Sequence, residues 1–129
     1  MSFEWKEYLA LSKYIASRTH TSFSSEAAAR CAVSRSYYAV FCYTRNYARD
    51  NLKPKFIPGY NPDDHWRLRE HLEELGKLYK DSTFIMVAAN LDDLRQKRNS
   101  CDYDDDIYAP ILTQDWALNA ATDILEILD

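Results

Sequence analysis

The sequence predicts an all-α protein, a compact up-and-down bundle of about five helices built as one domain over residues 1–129. Three observations predict it. Helix breakers are scarce, with two glycines and four prolines in 129 residues, while Ala, Leu, Glu, Lys and Arg dominate the runs between them. Apolar residues recur at helical spacing in five separate stretches. The length also suffices to bury a core without staples, and an aromatic content of 14%, including ten tyrosines, belongs to a globular chain.

The first helix is predicted over about residues 3–17. Phe3, Tyr8, Leu11 and Ile15, with Trp5 and Leu9 beside them, form its apolar face opposite Glu4, Lys6, Glu7 and Lys13. The polar stretch RTHTSFSS follows, placing His20 in a solvent-facing loop. Ser24 or Ser25, with Glu26 in the first turn, starts a second helix reaching about Asn51. From Ala27 to Tyr43 this helix is apolar almost all round, so it must be covered on several sides, by the other helices or by a second copy. Arg35 is a charge within that apolar run and shares a face with Tyr38 and Cys42; a bracing partnership with Asp102 or another carboxylate would satisfy it.

The one long irregular segment, LKPKFIPGYNPDDH, carries Lys53 and Lys55 among Phe56 and Tyr60. Such a loop either caps the end of the bundle or grips a nucleic-acid strand by phosphate contact and base stacking. Asn61 as N-cap and Pro62 at the first helical position open the third helix, with Trp66, Leu68, Leu72, Leu75 and Tyr79 as its buried side. His65 and His71 are six apart and do not share a face as a metal pair would. Asp81 or Ser82 caps the fourth helix, which the acids and Pro110 of DYDDDIYAP stop. A fifth helix runs from Thr113, closing the bundle with Trp116, Ala120, Ile124, Leu125 and Leu128.

Composition excludes several classes. A net charge of −4 argues against a nonspecific nucleic-acid coat while leaving room for a local basic site. No apolar run reaches the roughly 18 residues that span a bilayer, and the N-terminus has no basic stretch before its apolar residues, so a cytoplasmic protein without membrane attachment is expected. Cys31, Cys42 and Cys101 are odd in number and without CxxC spacing. Cys31 and Cys42 fall about 16 Å apart on one helix, too far to bridge, and read as small packing residues. No glycine-rich phosphate loop, nucleophile elbow or metal pair occurs, and no cofactor or metal is expected.

The informative stretch is Phe84 to Tyr103. Phe84, Val87, Leu91 and Leu94 form a helical stripe whose next member is Arg98, followed by Cys101 or Asp102. Cations in a last turn commonly neutralise the helix end, here with Arg95 and Lys97, and Asp102 lies four residues on. An arginine on a core-facing line nevertheless needs a carboxylate, a carbonyl or a bound anion, because an unpaired buried charge costs several kcal/mol.

RNSCDYD, from Arg98 to Asp104, lies about sixty residues after SRSYYAVF, from Ser34 to Phe41, with His65 between them. This ordered set resembles the small HEPN domains, in particular the bacterial and archaeal subgroup that carries RxYYAxF, a histidine-bearing loop and helix, and a terminal RxxxDY. The matching residues are Arg35, Tyr37, Tyr38, Ala39 and Phe41, then His65, then Arg98, Asn99, Asp102 and Tyr103, and the resemblance covers about residues 5–128. It implies a HEPN-like bundle associated with RNA or a nucleotide in a toxin–antitoxin or defence system, dimerising through the second and fourth helices. Many such domains are metal-independent ribonucleases in which an arginine stabilises the scissile phosphate and a histidine beyond a spacer of four to six residues moves the 2′-hydroxyl proton. Here that histidine is absent and Tyr103 stands in its place; a phenol, titrating ordinarily near about pH 10, is a poor base. The resemblance thus implies Arg98, Asp102 and Tyr103 as candidate catalytic residues and Asn99, Arg95, Arg35 and Tyr38 as candidate ligand-binding residues. It also implies a nucleotidyltransferase antitoxin as a partner; the tyrosine that such a partner modifies just beyond the histidine is not matched here, where Asp104 and Asp105 follow Tyr103, and Tyr103 and Tyr108 are the tyrosines left within reach. The alternative is a noncatalytic interaction protein in which Arg98, Arg35 and Asp102 form a buried ion network.

Overall fold

The computed structural model describes residues 2–53 and 62–129. Among them are five α-helices and no strand: α1 (Lys6–Ala16), α2 (Ser25–Tyr47), α3 (Asp64–Leu78), α4 (Ser82–Tyr103) and α5 (Pro110–Leu128), with a π-helical turn, Ala48–Leu52, continuing α2. The chain is an all-α compact bundle, as its composition predicts. The predicted basic aromatic loop falls mostly outside the described residues, as do Lys55, Phe56, Tyr60 and the Asn61 cap; α3 itself begins at Asp64, with Pro62 in the turn before it.

Helix α2 is the centre. It packs against α1, α4 and α5, and α3 packs chiefly on α4. Ala29, Ala32, Val33, Tyr37, Ala39 and Val40 are all but completely buried, which is why the middle of α2 can afford no polar face. Small side chains at its front allow close approach, and larger ones from α3, α4 and α5 (Leu68, Leu72, Leu91, Leu94, Ile124) complete the core. The Ser24 hydroxyl accepts from the Ala27 N–H at 3.0 Å and caps α2. Lys6 Nζ reaches the Asp129 carboxylate at 2.7 Å, and the Tyr43 hydroxyl donates to the same group, tying α1, α2 and the end of α5 together.

Several predicted burials are corrected. The buried line of α1 runs through Leu9 and Ser12, with Trp5, Tyr8 and Ile15 half-buried, while Phe3 and Leu11 are exposed. Ser12 is tolerated inside because its hydroxyl donates to the Tyr8 carbonyl at 2.9 Å. Cys31 is exposed, unlike Cys42 and Cys101. On α3, Leu68 and Leu72 are buried but Trp66 and Tyr79 are exposed, since α3 is covered mainly by one neighbour and needs only a narrow apolar stripe. His20 is half-buried, its Nε2 lying 3.0 Å from the Ile15 carbonyl and its ring stacked on Phe23. Pro110 does not merely stop α4: it starts α5 at its first turn, three residues before the predicted start, with Ala109 left-handed at φ 47°.

The α3–α4 corner fixes where the end of α4 lies. Lys80 adopts φ 52°, and the N–H groups of Asp81 and Lys80 donate back to the carbonyls of Gly76 and Lys77, ending α3 in the six-to-one, five-to-two pattern that glycine normally serves. Asp81 then accepts from the Thr83 N–H at 2.9 Å and caps α4. Gly76 lies so close to α4 that an added Cβ would be 2.5 Å from Ile85 Cγ1 and 2.9 Å from the Asp81 carbonyl oxygen. Gly76→Ala is therefore expected to destabilise the fold by about 1–3 kcal/mol, opposite to the usual gain of Ala over Gly in a helix, read as a lower urea midpoint.

Candidate functional site at the end of α4

The apolar stripe of α4 is buried at Val87, Leu91 and Leu94 and continues to Arg98, which is only 7% exposed. Its guanidinium lies over the rings of Tyr37 and Tyr38, with Cζ 5.4 and 5.2 Å from their centroids. The Asp102 carboxylate is 3.8 Å from Nη1, a long i, i+4 contact, and Nε has no hydrogen-bond partner. An exposed pair of this spacing is worth about 0.3–0.5 kcal/mol, whereas a desolvated cation over an aromatic face is worth up to about 2 kcal/mol. The two phenol rings of α2, more than Asp102, hold Arg98.

Arg35 meets the same aromatic pair from α2. Its Cζ is 4.9 Å from the Tyr38 ring and 5.2 Å from Tyr8, so Tyr38 carries two guanidiniums. The expected Arg35 partnership with Asp102 is indirect: Arg35 Nη2 donates to the Ser34 hydroxyl at 3.3 Å, and that hydroxyl donates to Asp102 Oδ2 at 3.2 Å. One hydroxyl between the two gives a softer tie than a direct ion pair.

Beneath Arg98, Tyr37 and His65 form a buried pair. The Tyr37 hydroxyl hydrogen-bonds His65 Nδ1, and the imidazole stacks on Phe41 at 4.1 Å between centroids. Burial pushes the Tyr37 phenol well above its ordinary range against the pull of Arg95, Arg98 and Arg69, so it stays protonated. His65 is pushed down to about 4, by burial first and then by the fields of Arg95, Arg98 and Arg69, so it is neutral near pH 7. With Nδ1 engaged by the Tyr37 hydroxyl, Nε2 is the ring nitrogen outside that contact.

Arg69 of α3 and Arg95 of α4 complete a group of guanidiniums around this pair. Arg69 faces Asp92 at 3.6 Å, while the buried Nε of Arg95 has no partner. Of the residues named from sequence, Arg98, Arg95, Arg35, Tyr38 and Asp102 therefore gather at one place. Asn99 and Tyr103 are exposed on the outer side of the last turn, Tyr103 at 77%, and Tyr108 is nearly fully exposed. From sequence, His65 belongs only to the ordered motif set of the fold, and no motif in the sequence singles out Arg69 or Arg30 as site residues. The legible signal for the first two was their i, i+4 spacing on α3 beside Leu68 and Leu72. Arg30 shares a face of α2 with Ser34 and donates to the carbonyls of Cys101, Asp104 and Asp105, anchoring the chain just after Tyr103.

Among the described residues, no group of three or more His, Cys, Asp and Glu side chains is gathered for a metal ion, and no helix is long and apolar enough to cross a membrane. Comparison with protein-family models, curated proteins and solved structures found no match.

The depressed His65 value sets a pH dependence. Between about pH 6.5 and 4 the unfolded chain binds a proton at this imidazole that the folded chain refuses, so stability is full above the unfolded value and falls as pH drops through this window. Because the ring is partly open to solvent, roughly 1–2 kcal/mol is expected to be lost. Urea unfolding of wild type and His65→Gln across that range checks this: the difference between the two proteins should narrow on acidification.

Proposed function

We propose that this chain is a HEPN-like, nucleotide- or RNA-associated domain of a toxin–antitoxin or defence system, acting as a homodimer through α2 and α4, with Arg98 holding a phosphate. The observation that carries the proposal is a guanidinium 7% exposed at the end of the α4 stripe, with Nε unpartnered and only a long contact to its one nearby carboxylate. A phosphate supplies the charged, multiple acceptors that such a group lacks. Arg35 and Arg95 add positive potential beside it. Asp102 and Ser34 keep the pair of arginines oriented, while Asn99 and Tyr103, exposed on the adjoining turn, are reachable by a bound strand or a partner.

The enzymatic form of the proposal is metal-independent RNA cleavage, with Arg98 taking charge on the scissile phosphate and Asp102 or Tyr103 handling the proton. A second reading is favoured by the hydrogen-bonded line Arg35–Ser34–Asp102: a noncatalytic interaction protein, partnering a nucleotidyltransferase or another protein, in which Arg98 is a brace.

Purified protein and Arg98→Ala, incubated with total RNA and a chelator, separate these. The wild type is expected to retard RNA, and Arg98→Ala to do so at least about tenfold more weakly, the loss of a charged hydrogen-bond donor. Fragments produced by the wild type alone establish the enzymatic form. Equal RNA binding by both proteins, with a loss of about 3–5 kcal/mol of stability in Arg98→Ala, overturns the phosphate reading in favour of the brace.

A further inference from the structure

A cleft of about 550 Å³ opens beside the arginine group, between α1, α2 and the start of α3. That volume lies within the range of about 300–1,000 Å³ common to small-molecule sites. Its walls are mostly aromatic, with Trp5 at the cap of α1, Tyr8 from α1, and Tyr38 and Phe41 from α2, and Asp64 at the start of α3 adds one carboxylate. Two cations border it. Arg35 lies over Tyr8 and Tyr38, and Arg45 Cζ is 5.8 Å from the Trp5 ring. Among the described residues neither forms an ion pair; their side-chain hydrogen bonds go to the Ser34 hydroxyl and the Asn46 amide oxygen.

This is an unusual use of a first helix. Trp5 packs edge-on against Phe3 at 4.9 Å and against Tyr8 at 5.6 Å, forming an aromatic cluster that is half-buried rather than driven into the core. A purely structural helix gains more by burying such rings fully, at about 25 cal/mol per Å² of apolar surface. What the arrangement does provide is flat apolar faces next to unpaired guanidiniums. Flat faces stack planar rings, and guanidiniums take the phosphate attached to such a ring. His65 borders the same space, and with Nδ1 engaged by Tyr37 only its other ring nitrogen is left to meet a ligand.

We infer that this cleft is a base-stacking subsite for one nucleotide unit, its base lying against Trp5, Tyr8 and Tyr38 and its phosphate meeting Arg35 and Arg45. The inference rests on the phosphate reading above and deepens it. Tyr38 is common to both places, carrying Arg98 and Arg35 on one ring, so a strand whose phosphate is at Arg98 has the neighbouring nucleotide at the cleft. A free nucleotide offers the same chemistry.

The test titrates oligoadenylate, AMP and base-free ribose 5-phosphate into wild type, Trp5→Leu, Arg45→Gln and Arg98→Ala by calorimetry, with thermal melts as a folding check. In the wild type, AMP is expected to bind roughly tenfold or more tightly than ribose 5-phosphate, the margin that base–aromatic stacking supplies. Trp5→Leu should erase that margin and leave ribose 5-phosphate unchanged; Arg45→Gln, at a half-buried position bordering the cleft, should weaken AMP and serves if Trp5→Leu melts early. Oligoadenylate binding far more tightly than AMP identifies a strand as the occupant, and equal affinities a free nucleotide; both support the subsite. AMP and ribose 5-phosphate binding alike, or an AMP margin indifferent to Trp5→Leu, overturns it. A margin that persists while Arg98→Ala changes nothing overturns the phosphate role of Arg98 and leaves the cleft standing. The reverse pattern leaves Arg98 and removes the cleft.

Discussion

A helix enclosed by three others has little room for unsatisfied polar groups, and α2 carries Ser34, Arg35, Tyr37 and Tyr38 within five residues, with Ser36 among them answered by its own helix at the Val33 carbonyl. A buried polar group without a partner costs about 1–3 kcal/mol, so these four positions can be held only if their neighbours answer them. The answer comes from α3 and α4. His65 takes the Tyr37 hydroxyl, Asp102 takes the Ser34 hydroxyl, and Arg98 lies on the rings of Tyr37 and Tyr38. The tight α3–α4 corner at Gly76 and the Arg30 clamp on the end of α4 hold those partners in register with α2. The site is thus the polar seam of the bundle, and its geometry follows from closing the core around α2.

That seam is electrostatically lopsided. Arg35, Arg69, Arg95 and Arg98 converge on it, with Asp92 3.6 Å from Arg69, Asp102 3.8 Å from Arg98, and the buried carboxylate of Asp64 opposing the arginine fields at His65. The consequence is visible in the buried pair: the arginine fields add to burial in driving His65 neutral. In a chain with net charge −4 such a concentration of guanidinium is local, and under the proposed function an anion would offset it.

Much of this was legible. The break in the α4 stripe at Arg98, the all-round apolar character of α2 and the Ser24 and Asp81 caps each follow from spacing and local chemistry. The exposures of Trp66, Tyr79, Leu11 and Cys31 were not, because periodicity identifies an apolar face without saying how many neighbours will cover it. Helix α1 also turned so that Ser12, satisfied by its own helix, sits inside in place of Leu11. The Tyr37–His65 pair and the link from Arg35 through Ser34 to Asp102 join residues distant in sequence, and only the packing of α2 against α3 and α4 brings them together.

The protonation pattern narrows what the seam can do within one chain. Acid–base cleavage of RNA needs a lone pair near the 2′-hydroxyl that can accept a proton at neutral pH. His65 Nδ1 is engaged with the Tyr37 hydroxyl, and Asp102 Oδ2 accepts from Ser34 while facing Arg98. The buried Nε atoms of Arg95 and Arg98, both donors, have no hydrogen-bond partner. Donors stabilise an anion and orient it; they do not remove its neighbour's proton. Tyr103, at the position where the resembled nucleases carry their histidine, is exposed on the outer side of the last turn of α4, away from the buried guanidinium of Arg98. Under the proposed function Arg98 would hold the phosphate from inside the seam, and proton transfer would fall to Asp102 or to Tyr103 on that exposed turn.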